Sequence, residues 1–162
     1  MKNVKLSDYI ESFGDGIHGT PNYDSNGEYY FINGNNLENN RTQIDNSTLK
    51  LSKEEYEKIK RPLNSRTLLV SINGTLGNVA EYNDEKVALG KSVCYLNLKS
   101  EKDKNFVRYV ILSKRFQKYM MNVAHGSTIK NLAPSQIAEY EFLIPEHMKN
   151  NFYNDYLKDK MK

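Results

Sequence analysis

The chain has 162 residues, of which 38% are hydrophobic and 27% charged, with a formal net charge of +3. That length suits one domain with its own core, and that composition excludes a disordered or collagen-like chain. The modest positive charge excludes a dedicated nonspecific nucleic-acid coat but leaves room for a local basic face. The lone cysteine, Cys94, excludes an internal disulfide and reads as a small buried side chain in Val93-Cys94-Tyr95-Leu96. No apolar run approaches the ~18 residues that a membrane helix needs.

In chain order, Met1 to Lys5 leads into a polar segment rather than a signal-peptide core, so a cytoplasmic location is expected. Leu6 to Phe13 reads as a short helix opened by Ser7 and closed near Gly14. Residues 14–28 are dense in Gly, Pro, Asn and Asp and read as a long loop. Glu28 to Ile32 is a strand ending at Asn33-Gly34. Asn35 to Thr48 is polar and asparagine-rich, either a mobile excursion or a contact surface.

Ser52-Lys53-Glu54-Glu55 opens a second helix that stops near Lys60, before Pro62. Thr67 to Ile72 is a strand turned back by Asn73-Gly74 onto Asn78 to Tyr82. Asn83-Asp84 turns again, and Lys86 to Leu98 supplies one or two more strands. Asn105 to Val123 is predicted as one long amphipathic helix. Phe106, Val107, Val110, Leu112, Phe116, Tyr119 and Met120 form its apolar side; Arg108, Lys114, Arg115 and Lys118 lie opposite. That basic face suits either solvent or phosphate. Gly126 to Leu132 is a loop, Pro134 to Ile137 a helical turn, and Tyr140 to Ile144 a last strand. Glu146 to Lys162 reads as a short polar tail helix.

The search for chemistry returns little. Gly14-Asp15-Gly16-Ile17-His18-Gly19 has the letters of a dinucleotide fingerprint, but no helix N-terminus follows to hold a pyrophosphate. Asp84-Glu85-Lys86 matches the end of a metal-nuclease signature, yet Asn83-Asp84 already serves as a turn. His18, His125 and His147 lack a second ligand at metal spacing. No nucleophile elbow and no DNA-methylation motif is present. The expectation is a chain without cofactor, metal or catalysis of its own.

Three glycine-marked polar segments remain. They are His18-Gly19-Thr20-Pro21, the run Leu68 to Asn78 with Asn73-Gly74-Thr75-Leu76-Gly77, and Gly126-Ser127-Thr128-Ile129-Lys130-Asn131-Leu132. A short apolar exit, Phe142-Leu143-Ile144-Pro145, follows them. In this order and spacing the chain, from about Leu6 to Pro145, resembles a target recognition domain of the DNA specificity subunit of type I restriction-modification systems. The resemblance implies an α+β fold with a twisted, mostly antiparallel sheet and several flanking helices, similar to the small domain of some adenine methyltransferases. It implies a domain over residues 1–145, with 146–162 as a remnant or the start of the family's spacer helix. It implies sequence-specific binding of double-stranded DNA, with methylation and cleavage left to methyltransferase and restriction subunits.

Under that resemblance the recurring glycine segments imply loop shape and phosphate contact. Glycine admits a close backbone approach, and Ser or Thr donates a hydroxyl. The residues expected to face DNA are His18, Thr20, Asn22, Tyr23, Asn36, Arg41, Lys91, Ser92, His125, Ser127, Thr128 and Lys130. Asn22, Asn35, Asn36, Asn39, Asn40, Gln43 and Asn46 offer amides to adenine edges, and Arg41 a guanidinium to guanine. The same asparagines also suit solvated turns. A full specificity subunit carries two such domains; this chain carries one, so it reads half of a split target, and a homodimer is the expected route to high affinity. A protein-interaction module of the same fold and a small metal-dependent nuclease stand as the alternatives.

Overall fold

The computed structural model describes residues 1–146; the expected tail helix lies outside them, save for Glu146. The described elements run β1 (Lys2–Lys5), a 3-10 turn (Leu6–Tyr9), β2 (Ile10–Asp15), β3 (Tyr29–Ile32), a second 3-10 turn (Gly34–Asn36), β4 (Leu37–Glu38), β5 (Arg41–Thr42), β6 (Lys50–Leu51) and α1 (Lys53–Ile59). They continue with β7 (Thr67–Asn73), β8 (Thr75–Glu81), β9 (Val87–Leu89), β10 (Val93–Leu98), a third 3-10 turn (Glu101–Asp103), α2 (Lys104–Leu112), α3 (Lys114–Val123), α4 (Pro134–Ala138) and β11 (Glu141–Ile144).

The central sheet has the order β2-β10-β7-β8 and is antiparallel throughout. Because side chains alternate across a strand, β7 feeds two cores at once. Leu68, Val70 and Ile72 point into a layer with Phe106, Val107, Ile111, Phe116 and Met120 from α2 and α3. Leu69 points the other way, against Ile32, Val87 and Leu89 of a second sheet ordered β6-β3-β9. That double burial explains why Leu68 to Ile72 is a continuous apolar run apart from Ser71. Phe116 is fully buried at the centre of the helical layer, where truncation to Ala removes about 3–5 kcal/mol. The fold is thus α+β and mostly antiparallel, as expected, with β3–β9 as a parallel exception.

Two expected elements differ. Leu6 to Phe13 is not a helix: one 3-10 turn ends at Tyr9, and Ile10 begins an edge strand on β10. The backbone N–H of Lys5 donates to the Asp8 carboxylate at 2.9 Å, so Asp8 rather than Ser7 fixes the turn. The expected helix from Asn105 to Val123 is two helices parted at Ser113, whose ψ of 148° is extended. The Ser113 hydroxyl donates to the Val110 carbonyl at 2.7 Å and accepts from Phe116 N–H at 3.2 Å, closing one helix and capping the next. Asn35 to Thr48 is ordered too. Gln43 Nε2 donates to the Glu38 carbonyl and Asn36 Nδ2 to the Gln43 carbonyl, which ties down the β4–β5 hairpin.

Candidate nucleic-acid interface

One end of the central sheet gathers all three glycine-marked segments. At β2's exit, Gly16 N–H donates to the Val93 carbonyl and Ile17 N–H to that of Leu89. Ile17 bridges Gly90, which sets His18 beside Lys91. On β7, Ile72 N–H donates to the Ser92 carbonyl at 3.0 Å and Leu132 N–H to the Ile72 carbonyl at 2.8 Å. Gly74 N–H donates to the Lys130 carbonyl at 2.9 Å, so the third segment is strapped to the Asn73-Gly74 hairpin. Three interstrand steps of ~4.8 Å make this end about 14 Å wide, close to the ~12 Å of a DNA major groove.

The loop after α3 is closed by its own base: His125 and Asn131 exchange backbone hydrogen bonds of 2.8 and 2.7 Å. Gly126 has φ 102°, and a side chain there would strike the Ile129 carbonyl, so glycine is required. The tip then presents Ser127, Thr128 and Ile129 to solvent, Ile129 at 59% exposure. Gly74 also has positive φ, with nothing near the position of a Cβ. Gly77 differs. A Cβ there would run into Met120 and Gln117 of α3, so packing against that helix requires glycine at this position.

The twelve expected contact residues divide accordingly. His18, Lys91, His125, Ser127, Thr128 and Lys130 come together at this sheet end, with Thr20 exposed beside them. His18 Nε2 lies 2.7 Å from Asp15 Oδ2, which orients the ring and engages the acid at this end of β2. Asn22 and Tyr23 run away toward α1. Asn22 Nδ2 is 3.5 Å from Glu55, and the Tyr23 ring, 46% exposed, sits 6.1 Å from that of Phe31.

Two residues are committed to the fold. Ser92 is 9% exposed; its hydroxyl accepts from Gly34 N–H at 2.8 Å and donates to Asn33 Oδ1 at 3.2 Å, leaving nothing for a phosphate. Asn36 accepts from Asn33 N–H and donates to the Gln43 carbonyl. Arg41 lies elsewhere, on the exposed β4–β5 hairpin that bridges β8 at Ala80. Sequence reasoning left Asn73 and Thr75 out of the contact set, and only strand register places them at the same edge.

Charge is uneven. Among the described residues, Arg41, Lys91, Lys114, Arg115, Lys118 and Lys130 have no carboxylate within ion-pair distance, whereas Arg66 and Lys104 do. Those six border the glycine segments, the β4–β5 hairpin and α3; Lys2, Lys50, Lys53, Lys99 and Lys102, on other faces, likewise lack an ion pair among the described residues. No group of three or more His, Cys, Asp or Glu among the described residues is placed to hold a metal ion. Burial pushes the Cys94 thiol well above its ordinary pKa, which makes it unreactive rather than nucleophilic. Asp84 has φ 63° and Glu85 accepts from Asn83 N–H, so Asp84-Glu85-Lys86 is a turn. No described helix is long and apolar enough to cross a membrane.

One sheet end thus brings together glycine loops, hydroxyls and cations without ion pairs among the described residues. The profile described as the type I restriction modification DNA specificity domain matches residues 1–157, and the chain belongs to that family. Among solved structures, it is similar to the type I restriction-modification S subunit from M. genitalium. That match has a TM-score of 0.55 and 22% identity over 86% of this chain and 33% of that one. A chain from a structural study of complex assembly and conformational transition in the type I R-M system matches with TM-score 0.67 and 13% identity, covering 99% of this chain and 38% of that one. This chain therefore spans about a third of the length of the solved chains it matches, and at these identities the likeness speaks to fold. No curated protein sequence matches significantly.

Proposed function

We propose that this chain binds double-stranded DNA sequence-specifically, as the half-site reader of a type I restriction-modification complex, and performs no chemistry itself. The observation that carries this reading is the convergence of the three glycine-marked segments on one sheet end bordered by unpaired cations. Lys91, Lys130 and the hydroxyls of Ser127 and Thr128 suit phosphates, which position a protein without reading sequence. Arg41, exposed and without an ion-pair partner, suits a base edge. Methylation and cleavage would belong to partner subunits, and a second recognition domain, from another copy or another chain, would read the other half-site.

The test is a titration of labelled duplexes after selection of a preferred sequence from a random pool. Lys130→Ala weakens preferred and scrambled duplexes alike and makes the salt dependence shallower by about 0.9 in log–log slope. Arg41→Ala weakens the preferred duplex more than the scrambled one. Equal binding of all duplexes by the unaltered chain at low salt would reject the reading.

A further inference from the structure

A notch of about 330 Å³ opens between the β4–β5 hairpin, the middle of β8 and the C-terminal half of α2. Glu38, Asn39 and Asn40 form one wall, Asn78 the floor, and Arg108 with Leu112 the other wall. Four observations mark it as more than a surface dip. Arg108 is half-buried, yet it has no hydrogen bond or ion pair with any described residue. Its Nε is sealed from water without a partner, which leaves the two Nη groups as its route to one. Asn40 Oδ1 is likewise buried and unpartnered, although Asn40 Nδ2 is held by Glu81 at 3.2 Å. The exposed Glu38 lines the same space and forms no ion pair with Arg108. Buried polar groups in folded proteins are almost always satisfied, so a half-buried, unpartnered guanidinium at the edge of a notch points to a ligand met through its Nη groups.

The hairpin is built to hold this geometry. Asn39 and Asn40 have φ of 52° and 61°, both left-handed, which a two-residue turn of the I′ type requires. Asparagine is among the few side chains that accept that conformation. Glu38 pairs in register with Arg41, so the turn fixes both charged side chains on one rigid unit. The notch lies about 13 Å along β8 from Thr75, at ~3.3 Å per residue, roughly the span from a phosphate rail across a major groove.

Resting on the DNA-binding reading above, we propose that this notch reads one G·C base pair. Arg108 donates through its two Nη groups to guanine O6 and N7, and Glu38 accepts from the N4 amino group of the paired cytosine. The chemistry favours a base edge over a phosphate: a phosphate would meet the Glu38 carboxylate, whereas a G·C pair presents adjacent acceptors and a donor to match both walls. Arg108 is therefore a specificity residue, distinct from the cations of the sheet end.

The experiment is duplex selection from a random pool with the full chain and with Arg108→Met, which keeps the aliphatic stem, and Glu38→Gln, which keeps the shape. The unaltered chain should demand G·C at one position. Arg108→Met should lose that demand, with discrimination there falling by roughly tenfold or more, while other positions and the salt slope are unchanged. Glu38→Gln should relax the same position. Thermal melting of each variant separates loss of folding from loss of reading. A motif unchanged by both substitutions overturns the proposal. So does uniform weakening of every duplex by Arg108→Met with a shallower salt slope, which would make Arg108 a phosphate contact. If the unaltered chain selects no sequence at all, the DNA-binding reading falls and takes this one with it. If it selects a motif without a G·C position, only this one falls.

Discussion

The two ends of the central sheet are made from the same four strands and could hardly be wired more differently. At the end where β2 begins and β10 stops, polar groups are spent on one another. Thr67 donates to Asn97 Oδ1 at 2.5 Å, and Asn97 Nδ2 donates to the Pro62 carbonyl and to Ser12. Arg66 is shared between the Leu98 carbonyl and Glu11, and Lys104 lies near both Glu81 and Glu101. At the opposite end, backbone amides stitch the loops together, while Lys91 and Lys130 find no carboxylate. One end satisfies its buried polar side chains within the fold; the other leaves the exposed Lys91 and the half-buried Lys130 without an ion pair among the described residues. Stability and binding can therefore be altered separately, each at its own end.

The largest expected effect is on binding. Reversing charge with Lys91→Glu and Lys130→Glu together should lower DNA affinity on the order of 100-fold at low salt and flatten the salt slope by about 1.8. The melting temperature should stay close to that of the unaltered chain, because neither side chain makes an ion pair with a described residue. Gel-shift titration at several salt concentrations, alongside thermal melting, reads both numbers. A large loss of stability would show that the open end also holds the fold together, and the contrast would collapse.

Next in size is a stability effect at the closed end. Asn97 is 2% exposed, and Asn97→Ala strands the Pro62 carbonyl and takes away the acceptor of the Thr67 hydroxyl proton. The cost should be about 2–3 kcal/mol in urea unfolding, with DNA affinity at native conditions within about twofold. Any larger fall in affinity for a still-folded variant would mean the two ends communicate.

The smallest effect is a pH dependence, also at the closed end. Burial raises the Asp103 carboxyl above its ordinary pKa, so the folded protein prefers it protonated. Its ionisation opposes folding as pH rises through the shifted value, and below the ordinary value of 3.8 the group is neutral in both states. Asp103→Asn should therefore raise the urea midpoint at pH 7 and leave it nearly unchanged at pH 3.5. Equal gains at both pH values would point to some cause other than charge burial.

Much of the fold was legible where local chemistry was decisive. Ser52 caps α1 by accepting from Glu55 N–H at 3.1 Å, and Asn73-Gly74 turns β7 back onto β8, as expected from the residues alone. Ile10 to Asp15 was not legible as a strand, because its partner Cys94 to Leu98 lies 79 to 88 residues on and nothing in its own pattern announces it. Ser113 could have been read as a cap within the long helix, but the apolar spacing continues across the break and hides it. The glycine segments were visible as segments, whereas their convergence depends on register, which a single chain does not spell out. Ser92 shows the limit from the other side: its place in a loop suggested a free hydroxyl, and the 3-10 turn of Gly34–Asn36 claimed it. Arg108 was legible as a cation on a helix, and only the hairpin opposite makes it a wall of a notch.

Strand β1 pairs along its whole length with β11, Lys2 opposite Ile144 and Lys5 opposite Glu141. During synthesis β1 has to wait, without its partner, until β11, well over a hundred residues on, follows it out of the ribosome. A nascent chain stalled before Glu141 would carry an open edge that a neighbouring polypeptide could occupy.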